Sequence, residues 1–530
     1  MRKINILIFS LFIISYAQIG RVSTAGYTTW DWQFNGPTLK WCIIDTVANG
    51  IHIAWTWCDG ISANRNVRYN FYNFATRTWN WPNAGVNVFT VRAGYGSIDN
   101  NPVTGCVYIC ANSASGILVG GDMGPGTGIF EYFQGLSGFL WPVIAVTPDS
   151  VIHLALMDAA SQDSLWYSRR QPGGNWSTPI HICPPAPEPM FPSHNLVASK
   201  VSNKVIILWE CAEDQGQQRV YYRLSHNSGI TWQPPTQLPF PPAQEMTPSF
   251  HISSLYAVFD YQDNIHIVAS VADTGQTIPA GIWHWCPINN PQWSCIYFYN
   301  PETLHSPNCG YNAIYATRPT IVQNHHDNYF YVAWEQFDYF NYEPSTSLAR
   351  ADVWIAESPN NGQTWQNQRP ITTPNTTSKR FPCAGGVDHD TLTVAYLIDS
   401  IAGFELYAQG RYTFNPVVIQ RIKVPLPTIE IKENSTSFIH PLILNIEPNP
   451  FTSHTAIRFS LPTQTNVSLS IYDVTGRLIK VLVSDIKTAG EYFALWNGKD
   501  NQGLKVKNGI YFCSLKTNDK VITRKVVKSD

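Results

Sequence analysis

The chain has 530 residues, too many for one ordinary core, and combines little charge (14% Asp, Glu, Lys and Arg) with many aromatics (13%, 19 of them Trp). That mixture suits broad β-sheets with large flat side chains between them. The formal net charge of −2 conceals two unlike parts: Gln18 to Ser453 holds 21 Lys and Arg against 31 Asp and Glu, His454 to Asp530 holds 12 against 6. An acidic body lacks the basic surface that nucleic-acid binding requires.

At the N-terminus, Arg2 and Lys3 precede an apolar run from Ile4 to Ile14 and then Ser15-Tyr16-Ala17. This order predicts a signal peptide over 1–17, cleaved after Ala17. The run is too short to span a bilayer, and no later stretch is long and uncharged enough, so no transmembrane segment is expected in the mature form. Ten of the eleven cysteines fall in the body and Cys513 in the tail, with no C-x-x-C pair. Export favours oxidation of some of them. Cys286 and Cys295 bracket a Pro/Asn-rich turn and are expected to staple that hairpin; Cys106 and Cys110 are not expected to bridge each other.

Internal repetition organises residues 18–424. A turn of Asn, Asp or Gly followed by an alternating apolar strand occurs as Asn49 to Trp55, Ser150 to Leu156 and Asp263 to Ala269, and less strictly at 203–209, 328–334 and 390–396, with a faint copy at 104–110. The fourth position falls at 52, 107, 153, 206, 266, 331 and 393, so each copy has room for four short strands and their turns. Such units need neighbours to cover their faces, and radial closure protects their edges. The expected fold is all-β, a β-propeller of seven blades, with six as the alternative. The histidines at 52, 153 and 266 occupy one equivalent position in well-separated copies, which predicts a structural role; no metal site and no cofactor are expected.

Two turns recur in the same phase of the repeat, Ser225-His226-Asn227-Ser228-Gly229-Ile230-Thr231-Trp232 and Ser358-Pro359-Asn360-Asn361-Gly362-Gln363-Thr364-Trp365. They resemble the Asp-box of sialidases and related repeat propellers, with Asn227 and Asn360 where that family has Asp. The resemblance implies a structural role for Ser225, Asn227, Gly229 and Trp232, and for Ser358, Asn360, Gly362 and Trp365, on the blade periphery. A sialidase would also need three arginines to clamp a carboxylate, and the family's N-terminal Arg-Ile-Pro motif is absent. Only Arg318 and Arg380 suit such a clamp; Trp141-Pro142 and Phe191-Pro192 hold comparable strand starts.

Residues following the second strands are repeatedly acidic: Asp59, Asp158, Glu210, Asp273, Glu335, Asp338 and Asp399. Together with Arg318 and Arg380 they form the expected ligand-binding face, edged by Trp57, Tyr339, Phe340 and Tyr342. Carboxylates and aromatic platforms suit saccharides. Each acid taken singly is better explained as a turn cap or a local pair.

Residues 425–447 read as a linker. From 448 to 530, short alternating strands predict a small immunoglobulin-like β-sandwich. Its landmarks are Asn449-Pro450-Phe451, the turn containing Asp473, Gly476 and Arg477, then Trp496 and Gly498, then Gly509 and Tyr511, ending on a basic strand. In this order they resemble the type A C-terminal sorting domain of the type IX secretion system. The resemblance implies that the type IX machinery is a partner and that the chain ends up secreted or on the outer cell surface. Two functions stay open for the body: a non-catalytic propeller that binds extracellular polysaccharide or protein, and a sialidase-like propeller glycosidase acting on extracellular glycans.

Overall fold

The computed structural model describes residues 19–34, 37–60, 62–183, 190–212, 218–242, 250–273, 278–299, 307–426, 443–461, 465–487, 490–518 and 520–529. The expected leader and most of the expected linker lie outside them. The chain divides into two compact units, Met1–Thr428 and Ile429–Asp530. Among the described residues, no helix is long and apolar enough to cross a membrane.

Among the described residues the first unit forms seven antiparallel sheets, numbered one to seven in chain order of their first strands. Those first strands are Cys42–Asp45, Ala93–Asn100, Phe139–Val146, Met190–Ala198, Phe250–Phe259, Ala316–Gln323 and Ser378–Asp388. The second strands, in the same order, are Gly50–Trp57, Val107–Ser113, Ile152–Asp158, Val205–Ala212, Ile265–Asp273, Phe330–Tyr342 and Thr391–Asp399. The repeated apolar segments are these second strands. They are buried along almost their whole length, as in Gly50–Trp57 and Ile265–Asp273, because each is covered on both faces.

Each first strand contacts the first strands of the sheets before and after it, and that of sheet seven contacts that of sheet one. The seven therefore close on themselves in a propeller-like arrangement. Closure is also covalent in order: the outer strand of sheet seven, Arg21–Thr28, comes from the N-terminus and pairs with Asn415–Lys423. An edge that would otherwise lie open is thus filled by the other end of the same unit.

Hydrogen bonds between neighbouring strands explain the recurrent histidines. His52 Nδ1 lies 2.6 Å from Tyr69 Oη and His153 Nδ1 2.7 Å from Tyr167 Oη, while His266 Nδ1 lies 2.9 Å from His284 Nε2. All three are fully buried, joining second strand to third strand inside one sheet. Burial pushes the imidazole of His52 down to about 4 and that of His153 to about 3, so both are neutral.

The two repeated turns share one hydrogen-bond network. Ser225 Oγ accepts from the Gly229 N–H and Asn227 Oδ1 from the Thr231 N–H, both at 2.9 Å; Ser358 Oγ and Asn360 Oδ1 accept from Gly362 and Thr364 at 2.9 and 3.0 Å. Asn can stand here in place of Asp: its carbonyl accepts from the backbone, and its amide donates to the hydroxyl of Thr231 or Thr364 at 2.9 Å. Each glycine has positive φ and presses on the preceding sheet: a Cβ on Gly229 would stand 1.7 Å from Tyr167 Oη, one on Gly362 2.1 Å from His284. The turns therefore key into the same Tyr and His that anchor the buried histidines.

The second unit has a three-stranded sheet (Ile443–Glu447, Thr455–Leu461, Gly490–Trp496) and a four-stranded one (Leu478–Lys487, Thr465–Asp473, Gly509–Lys516, Val521–Lys528), sharing one apolar core. Its sequence landmarks do the building. Phe451 and Tyr511 pack on the buried Trp496, with ring centroids 5.3 and 5.1 Å away. Asn449 bonds both ways to the last strand, donating to Lys525 O at 2.7 Å and accepting from the Val527 N–H at 2.8 Å. Asp473 closes its turn by accepting from the backbone N–H groups of Thr475 and Arg477.

Register corrects one cysteine expectation. Cys295 stands opposite Trp283, and Cys286 Sγ lies 3.8 Å from His266 Nε2, so no staple joins Cys286 to Cys295.

Candidate functional site

The first strands of sheets two, three, five, six and seven each carry a register break at the same place, and at each break one residue takes positive φ: Tyr95, Trp141, Ser254, Arg318 and Phe381. A bulge inserts an extra residue and re-aims a side chain. At Arg318 it turns the guanidinium onto Glu335, in the middle of the second strand of the same sheet. Arg318 Nη1 and Glu335 Oε1 form a short ion pair. Arg380 reaches the same carboxylate from sheet seven, Nε to Oε2 at 3.3 Å, and the Phe381 N–H donates to Oε2 at 2.8 Å. Burial alone would raise the Glu335 carboxyl; Arg318, then Arg380 and the Phe381 N–H, hold it below its usual range.

This triad is not open to solvent. Glu335 is fully buried, Arg380 is 1% and Arg318 5% exposed. The cover comes from the chain between Arg21–Thr28 and Cys42–Asp45. Trp32, Phe34, Leu39 and Trp41 are buried there, with Phe34 against Phe381 (4.8 Å) and Trp32 stacked on Phe404 (5.5 Å). Trp41 Nε1 donates to Phe381 O in sheet seven, and Asn195 Nδ2 of sheet four donates to Thr38 O. The segment thus bonds to sheets four and seven, on different sides of the ring, and fills its middle. The two guanidiniums expected to clamp an incoming carboxylate are already closed on an internal one.

Asp399 lies beside the triad. It is buried, its Oδ1 accepts from the Ile401 N–H at 3.2 Å, and its Oδ2 has no hydrogen-bond partner. Burial, reinforced by neighbouring Asp31, pushes its carboxyl up to about 8; burial raises Asp31 itself to about 6 although the Glu405 N–H donates to it at 2.8 Å.

The other expected residues are placed differently. Glu210 is buried in sheet four, where burial pushes it up to about 8. Asp158 caps its own turn, accepting from the backbone N–H groups of Ala160 and Ser161, and Asp59 is exposed and accepts from Asn64 Nδ2. Asp338 accepts from the Phe340 N–H, and Asp273 ends its strand half-buried. Of the nine expected residues, the structure thus brings Arg318, Glu335, Arg380 and Asp399 together. Trp57 is covered on one face by the Arg68 guanidinium at 3.8 Å.

The open ground lies elsewhere on the same face. Loops after the second strands of sheets six and seven enclose a cleft of about 1110 Å³, lined by Asn308, Thr346, Arg350, Ser400, Gln409 and Arg411 among others. Arg350 is held by Glu343 at 2.7 Å and its buried Nε has no partner. In chain positions flanking this lining stand Tyr311 and Tyr407, stacked at 3.8 Å; Tyr407 also packs on Trp32 at 4.4 Å, and Tyr311 is 43% exposed. The sequence reading passed over Asp31, Tyr311, Tyr407 and the cleft. The one available signal was Trp30-Asp31-Trp32-Gln33-Phe34, an alternating run with no turn or partner strand to explain it.

Comparison with known proteins bears chiefly on the second unit. No curated protein matches the chain. Among solved structures it is similar to an ulvan lyase of a new polysaccharide lyase family, with TM-score 0.45 and 13% identity, covering 74% of this chain and 96% of that one. It is also similar to the Hadza microbial sialidase Hz136 (TM-score 0.34, 10% identity, 76% and 66% covered) and to the catalytic domain of a Coprinopsis cinerea α-L-arabinofuranosidase (TM-score 0.32, 11% identity, 54% and 99% covered). Residues 445–529 match the family described as the secretion system C-terminal sorting domain. The chain therefore carries a type IX sorting domain at its C-terminus, which marks it for export to the cell surface or the extracellular space.

Proposed function

We propose that the first unit is a seven-bladed β-propeller, delivered outside the cell by an immunoglobulin-like sorting tail, that binds extracellular polysaccharide at the cleft beside Tyr311 and Tyr407. The observation that carries this reading is the pairing of that cleft, rich in hydroxyl, amide and guanidinium groups, with a stacked aromatic surface at its edge. Polar groups that fix orientation beside apolar faces are what a saccharide site requires. The closed Arg318–Glu335–Arg380 triad speaks against a sialidase-type clamp. A glycan array run with the parent, Tyr407→Ala and Arg411→Ala tests the assignment. Binding by the parent that falls about tenfold in each variant, a loss of about 1.4 kcal/mol, supports it; equal binding by all three removes it.

A glycosidase reading draws on a different observation. Asp399, raised to about 8 and so holding a proton near neutral pH as a general acid must, immediately precedes Ser400 of the cleft lining. Release of reducing ends from a polysaccharide, abolished by Asp399→Asn, would favour it over simple binding.

A further inference from the structure

The placement of the cysteines singles out one pair. Cys383 Sγ donates to the Cys42 carbonyl at 3.7 Å, and register keeps Cys286 from Cys295. Cys183 and Cys211 are arranged otherwise. Cys183 ends the outer strand of sheet three, Ile180–Cys183, and Cys211 lies near the end of the second strand of sheet four. Both are buried in the same apolar cluster, and their thiols are hydrogen-bonded to each other. The backbone is tied across the same boundary, for Arg223 Nη1 of sheet four donates to Ile182 O at 3.5 Å.

Export takes these two thiols out of the reducing cytoplasm. We propose that Cys183 and Cys211 form a disulfide in the exported protein, fastening sheet three to sheet four where the chain crosses between them. One thiolate attacks the disulfide of an external donor, a thiol–disulfide oxidoreductase or oxidised glutathione, and one donor sulfur leaves as a thiolate. The second cysteine then attacks the mixed disulfide and releases the other donor sulfur. Two protons and two electrons pass from the pair to the donor, and one S–S bond replaces two S–H bonds. The bond closes the chain between the two cysteines into a loop, restricting the unfolded ensemble. It also lies next to Glu210, so it would hold the strand end that carries this carboxyl.

The test uses the full chain collected from the medium or cell surface of its secreting host, and a second sample refolded from urea with oxidised glutathione. Free thiols are alkylated under denaturing conditions and the digest is mapped by mass spectrometry without reduction. A linked peptide pair containing Cys183 and Cys211, lost on reduction, is expected in both samples. Alkylated Cys183 and Cys211 in the refolded sample would overturn the proposal, whatever the secreted sample contains. Thermal unfolding gives an independent reading: reductant lowers the parent's midpoint by several degrees and leaves Cys183→Ser unmoved. Should that variant not fold, the parent with and without reductant decides alone, and an unchanged midpoint counts against the bond.

Discussion

Glu210 and Glu335 occupy the same place in two repeats, as Leu208-Trp209-Glu210 and Ala333-Trp334-Glu335, each four residues after the aligned positions 206 and 331. Both are buried in second strands. Their chemistry is opposite. Burial leaves Glu210 protonated, raised to about 8, whereas Arg318 and Arg380 overcome the same burial at Glu335 and keep it ionised. Equivalent backbone positions thus fix where a carboxyl sits, and the residues brought in by bulges and neighbouring sheets fix its charge.

The sharpest way to break this comparison is to make one substitution at both places. Glu335→Gln leaves two buried guanidiniums without a counter-charge and should cost about 3–5 kcal/mol of unfolding free energy. Glu210→Gln exchanges one neutral group for another and should cost less than about 1.5 kcal/mol. Urea denaturation at pH 6 measures both. Equal losses would mean that the two carboxyls do not differ as described.

The second test is pH. A carboxyl raised in the folded state keeps its proton there after the unfolded chain has lost it, so Glu210 contributes stability at low pH that disappears as pH rises from about 4.5 to about 8. The slope is about 1.4 kcal/mol per pH unit for each such group. Asp399, also raised to about 8, adds a slope of the same sign over its own range. Glu335 has the reverse dependence, its contribution being lost as pH falls through its lowered folded value. Denaturation midpoints from pH 5 to 8 should therefore fall less steeply in Glu210→Gln, which retains the Asp399 share of the slope, and keep their full slope in Glu335→Gln.

How much of this was legible beforehand depends on range. The repeat period was visible because each second strand is buried on both faces and so must be apolar throughout, and the turns because Asn and Gly do local work there. The side of the ring holding Arg318, Arg380, Glu335 and Asp399 followed from strand order. Their closure on one another did not, since it depends on positive φ at Arg318 and Phe381 and on a segment from the N-terminal side folding into the middle of the ring. Nothing local in Trp30 to Phe34 says which distant residues it will cover. The tail was readable in more detail because its landmarks, Phe451, Asp473, Trp496 and Tyr511, are the residues that form its core and turns.

A smaller perturbation can move one member of the comparison toward the other. Arg318→Met leaves Glu335 with Arg380 and the Phe381 N–H, so the loss should be about 2 kcal/mol, less than removing the carboxylate. It should also raise the folded value of Glu335 and give the variant part of the Glu210 pattern, with more stability lost between pH 5 and 7 than in the parent. A variant whose pH profile overlays the parent would show that Arg380 alone suffices to hold the charge.

The smallest effect belongs to the periphery and serves as the control. Asn227→Ala removes the acceptor for the Thr231 N–H in a turn that presses on Tyr167, and should cost about 1 kcal/mol. Tyr167 is bonded to His153, so the loss is transmitted to a buried neutral imidazole but reaches neither glutamate. The midpoint should therefore fall by the same amount at every pH from 7.5 to 8.5, where His153 is neutral folded and unfolded alike. A loss that varied across this window would tie the turn to the carboxyls, and the contrast between Glu210 and Glu335 would no longer be local to their own surroundings.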